Sequence, residues 1–225
     1  PEVSGLACLC AMAVDELSMS GAVVSLMATS AAAPGQLGAI AASSSERVRL
    51  VEELEFSLGE GPGTDAFLTS RPVLTPDLER AGGRWPGYAP AACAAGSRAV
   101  FAFPLHVGAA RFGILSLHMS RPRALTAGEI ATSLMVTELA TDLVLDAPAP
   151  GSDRTAPPEL SWLDGESMRD PIYQAQGMVM VQLGVSLPEA LARLRAHAFA
   201  TDQLLADLAV DVLAGRAHLP SGGAL

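Results

Sequence analysis

The sequence predicts an α+β protein built from an N-terminal antiparallel sheet with flanking helices and a C-terminal three-helix bundle. Over the first 146 residues, strand-like pairs are interleaved with amphipathic helices. A Pro- and Ala-rich run over 147–158 then separates this part from three short helical stripes. We therefore expect a sheet domain over 1–146, a linker over 147–166, a bundle over 167–219 and a tail over 220–225.

The elements of the first part follow from apolar periodicity and from capping residues. Ser45 precedes a helical stripe, and Thr126 with Glu129 has the spacing of a capping box. The predicted elements are a helix over 6–17, strands over 20–30 and 36–43 joined by a turn at Pro34-Gly35, helices over 46–58 and around 66–68, a strand at 73–74, an irregular Gly- and Pro-rich stretch over 81–96, strands over 99–107 and 111–119, and a helix over 126–146.

The last part of the chain reads as three short amphipathic helices. The first spans Asp170 to Leu183 and ends before Gly184, and the third follows Asp202. The second begins at Ser186, and Glu189 stands three residues later, as in a capping box. Helices this short with brief connections favour a small bundle.

Charge is distributed unevenly between the two parts. The 225 residues carry a net charge of -10, and all 14 basic residues are Arg. Residues 1–166 contain 10 Arg and 19 acidic residues, whereas residues 167–225 contain 4 Arg and 5 acidic residues. The whole chain therefore lacks the basic footprint of a nucleic-acid-binding protein, but the bundle is nearly neutral.

Cysteine usage and hydropathy exclude several classes of protein. Cys8, Cys10 and Cys93 do not form a disulfide framework, and no metal-ligand spacing surrounds them. No basic segment precedes the apolar start, and no run of about 20 apolar residues follows. We expect a cytoplasmic protein that binds no membrane, uses no metal or cofactor and is not an enzyme.

The bundle resembles the ANTAR domain, a three-helix RNA-binding module of bacterial antitermination regulators. The resemblance is carried by Ile172-Tyr173-Gln174-Ala175-Gln176-Gly177-Met178-Val179-Met180, Gly184-Val185-Ser186, Glu189-Ala190-Leu191, Leu194-Arg195, Ala198 and Leu208-Ala209. The combined pattern covers essentially the whole C-terminal part.

The first part resembles a GAF domain. The matching stretches are Leu58-Gly59-Glu60-Gly61-Pro62-Gly63, Arg71-Pro72-Val73, Asp77-Leu78, Ala99-Val100-Phe101-Ala102-Phe103-Pro104-Leu105, Phe112-Gly113-Ile114-Leu115, Arg121-Pro122 and Leu125-Thr126. A GAF domain followed by an ANTAR domain is typical of actinobacterial regulators. Many such relatives carry Cys at the position of Gly63, so a thiol role is absent there.

These resemblances imply an RNA-binding transcription antitermination regulator with a GAF-like domain that senses a signal. Because the bundle is nearly neutral, we expect two bundles in a homodimer to bind paired RNA hairpins and prevent terminator formation. The dimer element is the helix over 126–146, whose apolar residues extend around more than one face; alternatively, both faces pack within one domain.

Candidate RNA-binding residues lie on the first two helices of the bundle. Cations contact phosphates, and amide or aromatic groups contact loop bases. The candidates are Gln174, Gln176, Arg193, Arg195 and His197, with Tyr173 as a further stacking group. The competing interpretation is an ordinary solvated face, with Arg195 paired to an acid such as Asp202.

The GAF-like domain is expected to hold a small-molecule ligand between its sheet and the covering helices. The candidate ligand-binding residues are Trp85, Tyr88, Phe101, Phe103, His106 and His118. Alternating strand positions point to opposite faces, so Phe101 and Phe103 share one face, which is either core or pocket. Each His is more often a surface or satisfied core residue than a haem ligand.

Two other function classes stay open at this point. Some GAF-like proteins are methionine sulfoxide reductases that use several Cys, although Cys8 and Cys10 sit in an apolar helix that favours inert burial. The other class is a protein-interaction or ligand-sensing regulator whose bundle does not bind RNA, which the near-neutral bundle allows.

Overall fold

The computed structural model describes residues 3–30, 33–146 and 169–220. In chain order the elements are α1 Val3–Glu16, β1 Gly21–Ser30, β2 Ala33–Ser43, α2 Glu46–Leu58, α3 Pro62–Thr69, β3 Val73–Thr75, α4 Tyr88–Ala94, β4 Ala99–Val107, β5 Ala110–Met119, α5 Ala127–Leu145, α6 Asp170–Leu183, α7 Leu187–Ala200 and α8 Leu205–Leu213. The predicted linker over 147–166 and the predicted tail beyond residue 220 lie outside the described residues.

The five strands form one antiparallel sheet in the order β2-β1-β5-β4-β3. On the central β4–β5 pair, Phe101 faces Leu117 and Phe103 faces Leu115 in register. These four side chains share one face and pack with α1 and α5 in the larger core. The other face carries Val100 and is covered by α2, α3 and α4. The predicted α+β fold is therefore confirmed.

Helix starts agree closely with the predicted capping residues. The Ser45 hydroxyl accepts from the Val48 N–H, and Thr126 and Glu129 form a complete capping box. Ser186 accepts from the Glu189 N–H, as predicted. The Glu189 carboxylate instead receives a hydrogen bond from Arg193 at 2.6 Å, so the predicted box at this end is only half formed.

Two predictions of local structure are wrong. Pro34 and Gly35 do not form a turn but belong to β2, where Pro34 pairs with Thr29. Because β2 is an edge strand, a missing N–H is tolerated there. The stretch predicted as irregular contains α4, with Pro90 in its first turn, where the backbone N–H has no partner within the helix.

Helices α6, α7 and α8 pack around a second core, centred on Ile172, Leu191, Leu194 and Leu208. Phe56 of α2 also packs against this core, so the bundle lies on the outer side of α2. Among the helices that the structure describes, none is both long and apolar enough to cross a membrane.

Candidate functional site

A cavity of about 130 Å³ lies where the bundle meets the sheet domain, and we call it the interdomain cavity. Strands β1 and β5 and helices α2 and α3 form most of its wall, and two arginines of the C-terminal part complete it. The lining residues are Ser25, Met27, Glu52, Glu55, Phe56, Gly59, Thr64, Phe67, Leu68, Ile114, Arg169 and Arg195.

Two buried carboxyl groups of α2 line the cavity on its sheet side. Glu52 and Glu55 are each only 4% exposed. The Ser25 hydroxyl donates to Glu52 Oε1 at 2.7 Å, and the Thr64 N–H donates to Glu55 Oε1 at 2.5 Å. Glu52 Oε2 is also buried, and the neighbouring Ser116 hydroxyl helps to stabilise the ionised form of this carboxyl group.

Burial controls the protonation of this pair. It raises the pKa of the Glu55 carboxyl to about 8, and the neighbouring Glu52 adds to the rise. Burial also raises the pKa of Glu52, against the opposing effects of the Ser25 hydrogen bond and the Arg169 charge. The pair therefore holds at least one proton at neutral pH.

Two guanidinium groups from the C-terminal part close the other side of the cavity around Phe56. Arg169 is 4% exposed, donates from Nε to Glu53 at 3.0 Å and lies 4.0 Å from the Phe56 ring centroid. Arg195 donates from Nη2 to the Phe56 carbonyl at 2.6 Å and lies 5.3 Å from the same centroid. Phe56 is therefore held by two cation–π contacts from the other domain.

Arg195 is a half-buried cation of α7. Its Nε is buried and has no hydrogen-bond partner among the described residues, which also give it no carboxylate partner within ion-pair distance. Burial lowers its pKa to about 10, and the charge of Arg169 acts in the same direction. Gly59, in the left-handed conformation with φ 72°, permits its approach, because a Cβ there would lie 2.7 Å from Arg195 Nη1.

Tyr173 of α6 supplies the remaining anchor of the bundle. Its hydroxyl accepts from the Gly38 N–H at 2.7 Å and donates to the Gly38 carbonyl at 2.6 Å. Its ring meets Phe56 edge to face, with centroids 6.0 Å apart.

The predicted ligand-binding residues lie elsewhere. Phe101 and Phe103 are buried against α1 and α5, and His106 is exposed near the end of β4. Trp85 donates from its indole N–H to Asp65 at 3.2 Å, and the Tyr88 hydroxyl is buried without a described partner. His118 lies 3.0 Å from the Ser97 hydroxyl, and burial lowers its pKa to about 3, so it is neutral. None of the six lines the interdomain cavity.

The sequence did not single out Glu52 and Glu55. The apolar residues at helical spacing on α2 are Val48, Val51, Leu54 and Leu58. The structure instead buries Val48, Val51, Glu52 and Glu55. The sequence feature that could have indicated a buried acidic pair was two acids three residues apart beside an apolar stripe. The same pattern is also typical of an ordinary exposed helix face.

The predicted RNA-binding residues are divided between exposed and buried positions. Gln174 is exposed, and Arg193 and His197 are half-buried on α7. Gln176 is buried and donates to the Leu187 carbonyl at 2.7 Å, which ties α6 to α7. Arg195 contacts Phe56, so the suggested pairing with Asp202 is wrong.

All four arginines of the C-terminal part are engaged in this arrangement. Arg169 pairs with Glu53, Arg193 with Glu189 and Arg216 with Asp211, and Arg195 lies on Phe56.

The bundle also presents Phe199, which is 74% exposed and is not among the residues predicted to bind RNA. An exposed aromatic ring on a helix end is a group on which an RNA base can stack.

Helix α5 leaves one apolar face uncovered by its own domain. Val136 and Ala140 are buried in the sheet core. On other sides of the helix, Leu134, Met135, Leu139, Leu143 and Leu145 are between 40% and 57% exposed. The interpretation that both faces pack within one domain therefore fails for the described residues.

The three thiols lie in different environments. Burial raises the pKa of Cys10 to about 11 and also raises the pKa of Cys93, whereas Cys8 is exposed on α1. Raised thiol pKa values oppose thiolate reactivity at neutral pH.

Comparisons with known proteins identify both parts. The GAF domain family model matches residues 6–143, and the ANTAR domain model matches residues 167–213. The fold is similar to the GAF domain from an Acinetobacter phosphoenolpyruvate-protein phosphotransferase, with 12% identity, a TM-score of 0.52 and coverage of 68% of this chain and 87% of that one. It is also similar to the GAF domain region of a membrane protein from Geobacter sulfurreducens PCA, with 15% identity, a TM-score of 0.51 and coverage of 65% and 94%.

A comparison with curated proteins found no match. At these identities the solved structures establish the fold alone, and the family models carry the assignment. The chain therefore belongs to the GAF domain family and carries a C-terminal ANTAR domain, the architecture of an RNA-binding antitermination regulator with a signal-sensing domain.

Proposed function

We propose that this chain acts in the cytoplasm as a homodimer whose GAF domains control when two ANTAR bundles bind paired RNA hairpins and prevent terminator formation. The observation that carries the proposal is the docking of the bundle on α2, which engages Arg169, Tyr173 and Arg195. The domain that senses a signal thereby holds groups that RNA would need.

The docked arrangement is the state with low RNA affinity. Binding to a phosphate backbone depends on cations, and the C-terminal part has only four Arg, each engaged with an acid or with Phe56. Undocking frees Arg195 together with the Tyr173 hydroxyl. Release of the bundle is thus the step that the sensed signal controls.

In the released state, RNA contacts residues of α6 and α7 on both flanks of the buried stripe of α7. We assign phosphate contacts to Arg193, Arg195 and His197, and base contacts to Gln174 and Phe199. Gln176 does not contact RNA directly. Its side chain holds α6 to α7 and so keeps the RNA-binding residues in position. The proposed boundaries are 1–146 for the GAF domain, 147–166 for the linker and 167–219 for the bundle. The linker tethers each bundle to its own GAF domain.

A homodimer through α5 supplies the second bundle. The uncovered apolar residues of α5 extend over about three turns of helix, and burying them against a second copy removes them from water. Two tethered bundles gain affinity from their high effective concentration, which offsets the weak charge of each.

A second candidate function is a regulator whose bundle binds a protein instead of RNA. Val181, Phe199 and Leu204 are between 67% and 74% exposed, and such side chains also suit a protein interface. RNA binding through arginines weakens steeply as salt rises, whereas apolar docking does not.

The test is a mobility-shift titration of the full chain with a synthetic transcript of two adjacent hairpins, at several salt concentrations. We expect binding that falls with salt, and a further loss in Arg193→Ala. Asp15→Asn, an exposed change in α1, is the matched control with unchanged binding. Binding that does not change with salt would favour the protein-binding function. The same conclusion would follow if RNAs crosslinked to the protein in cells were tested in the mobility-shift assay and none of them bound.

A further inference from the structure

We propose that the face of α2 against the bundle imitates one nucleotide of single-stranded RNA, with Glu53 in place of a phosphate and Phe56 in place of a base. The GAF domain and a loop nucleotide of RNA then compete for one site on the bundle, formed by Arg169, Tyr173 and Arg195. The inference rests on the proposed function and deepens it, because it names the site that RNA takes and the groups that block that site.

The first feature of this contact is an anion held by an arginine. Arg169 donates from Nε to both carboxylate oxygens of Glu53, at 3.3 and 3.0 Å. The Arg169 side chain is 5% exposed and the Glu53 side chain is 20% exposed, so the ion pair lies mostly away from water. Arginine binds carboxylates and phosphates through the same N–H donors. A phosphate of RNA can therefore replace this carboxylate.

The second feature is an aromatic ring against the same guanidinium group. The Phe56 centroid lies 4.0 Å from the Arg169 guanidinium carbon and 5.3 Å from that of Arg195. Tyr173 meets the same ring edge to face. Proteins that bind single-stranded RNA stack unpaired bases on arginine and aromatic side chains. The bundle thus contacts Phe56 through the side-chain types that hold an unpaired base.

Phe56 serves this contact and not the interior of its own domain. Among the described residues, neither apolar core of the GAF domain includes Phe56, whereas it packs against the core of the bundle. Glu53 and Phe56 are three residues apart, so they are neighbours on the surface of α2 and present anion and ring together. The GAF domain should therefore still fold when either residue is changed.

The third feature is a backbone donor and acceptor on the neighbouring strand β2. The Tyr173 hydroxyl accepts from the Gly38 N–H at 2.7 Å and donates to the Gly38 carbonyl at 2.6 Å. The edge of an unpaired base also offers N–H and carbonyl groups. In the docked state Tyr173 therefore bonds to groups of the kind that a base would offer it.

Direct competition sets the direction of regulation. A nucleotide at this site has to displace α2, so docking and occupation of the site by RNA exclude each other. A signal that weakens docking then raises RNA affinity, and RNA in turn raises the undocked fraction by the same linkage.

The first experiment compares two removals of charge on α2. Glu53→Gln removes the carboxylate that Arg169 holds, whereas the control Glu46→Gln removes one that pairs with Arg49 within α2. Mobility shifts of the full chain with the two-hairpin transcript should show affinity about threefold or more higher in Glu53→Gln and unchanged in Glu46→Gln. No rise in Glu53→Gln, or an equal rise in both variants, overturns the imitation of a phosphate.

The second experiment tests the ring. Phe56→Leu keeps an apolar side chain and removes the aromatic face, whereas Phe56→Tyr keeps that face. We expect RNA affinity to rise about threefold or more in Phe56→Leu and not in Phe56→Tyr, with circular dichroism reporting that both fold. Unchanged affinity in folded Phe56→Leu, or an equal rise in both variants, overturns the imitation of a base.

The third experiment follows the Gly38 amide by hydrogen exchange in NMR spectra. Saturating transcript removes Tyr173 from Gly38, so exchange at Gly38 should accelerate about tenfold or more, while the buried Val24 amide of β1 serves as the unchanged control. Unchanged exchange at Gly38 overturns the competition. The four ribonucleoside monophosphates, added singly in excess, should have no effect, and acceleration by one of them overturns RNA as the occupant.

The outcomes separate this inference from the proposed function. If the transcript binds with the expected salt dependence but Gly38 exchange and the affinities of Glu53→Gln and Phe56→Leu do not change, RNA binding stands and this inference fails. If neither the unsubstituted chain nor Phe56→Leu binds any transcript, the proposed function fails and this inference fails with it.

Discussion

The two faces of the GAF sheet differ in the chemistry they bury. The face against α1 and α5 is packed with Phe101, Phe103, Leu115 and Leu117. The face against α2 and α3 buries Ser25 and Ser116 next to two carboxyl groups, and several of its polar atoms have no described partner. Apolar packing yields stability, whereas a buried polar group without a partner costs stability.

The difference extends to what lies beyond each covering helix. Beyond α5 is an uncovered apolar face, and beyond α2 is the docked bundle. One side of the described molecule thus exposes an apolar helix face, and the other side carries a second domain. The following experiments test this division, beginning with the largest effect.

Truncation on the apolar face should cost the most stability. Phe103→Ala removes a fully buried ring, and we expect a loss of roughly 3–5 kcal/mol in the free energy of unfolding. Urea denaturation followed by circular dichroism measures it. His106→Ala, at an exposed position of the same strand, should change stability by less than about 0.5 kcal/mol. Similar losses in both variants would contradict the assigned core.

Charge on the uncovered face of α5 should separate the dimer. Leu139→Glu places a carboxylate at a 49% exposed position, and we expect monomers that bind the two-hairpin transcript roughly 100-fold more weakly. Sedimentation equilibrium measures the state and a mobility shift measures the affinity. Val107→Glu, at a 54% exposed position on β4, is the control. A Leu139→Glu protein that stays dimeric would place the dimer interface elsewhere.

The polar face should make stability depend on pH. Because the pKa of Glu55 rises from 4.5 to about 8 on folding, the folded state binds more protons across that window. Stability should therefore fall as pH rises from about 5 to 8, by at most roughly 1.4 kcal/mol per pH unit. Denaturation midpoints at pH 5, 6, 7 and 8 test this.

Glu55→Gln keeps an oxygen for the Thr64 N–H and removes the titration, so its midpoint should vary less with pH than the unsubstituted chain. The lowered pKa values of Glu46, Glu129 and Asp211 act below this window, since the stability they add is lost only in acid. An equal slope in both proteins would show that Glu55 is not the titrating group.

Two substitutions of Phe by Ala should change RNA binding in opposite directions. Phe56→Ala removes the ring held by Arg169, Arg195 and Tyr173, so docking weakens and RNA affinity should rise about tenfold, or about 1.4 kcal/mol. Phe199→Ala removes the exposed ring and should lower affinity by roughly 1–3 kcal/mol if one base stacks on it. Changes of the same sign would contradict either the docked state or the stacking role.

The parts of the structure that depend on local sequence could be predicted. Thr126 with Glu129 and Ser45 locate helix starts because their hydrogen bonds close within one turn. Helix α4 and the position of Pro34 in β2 could not be predicted. A proline shows that one backbone N–H is missing, but it does not show whether the folded structure would have given that N–H a partner.

The candidate site depends on contacts between distant segments. The burial of Glu52 is set by β1 and β5, and the position of Arg195 is set by the docking of α7 on Phe56. The local sequence around Glu52 or Arg195 looks the same as the sequence around an ordinary exposed charged residue on a helix. The family resemblance pointed to a pocket over the sheet, and only the fold shows which side chains line it.

The separation of the cavity's walls along the chain has a consequence for synthesis. Phe56 and Arg195 are 139 residues apart. At about 5–20 residues per second, a ribosome completes the second wall roughly 7–30 s after the first. A GAF domain that folds as it emerges therefore waits without its other wall, and the cavity closes only after α7 has been synthesised.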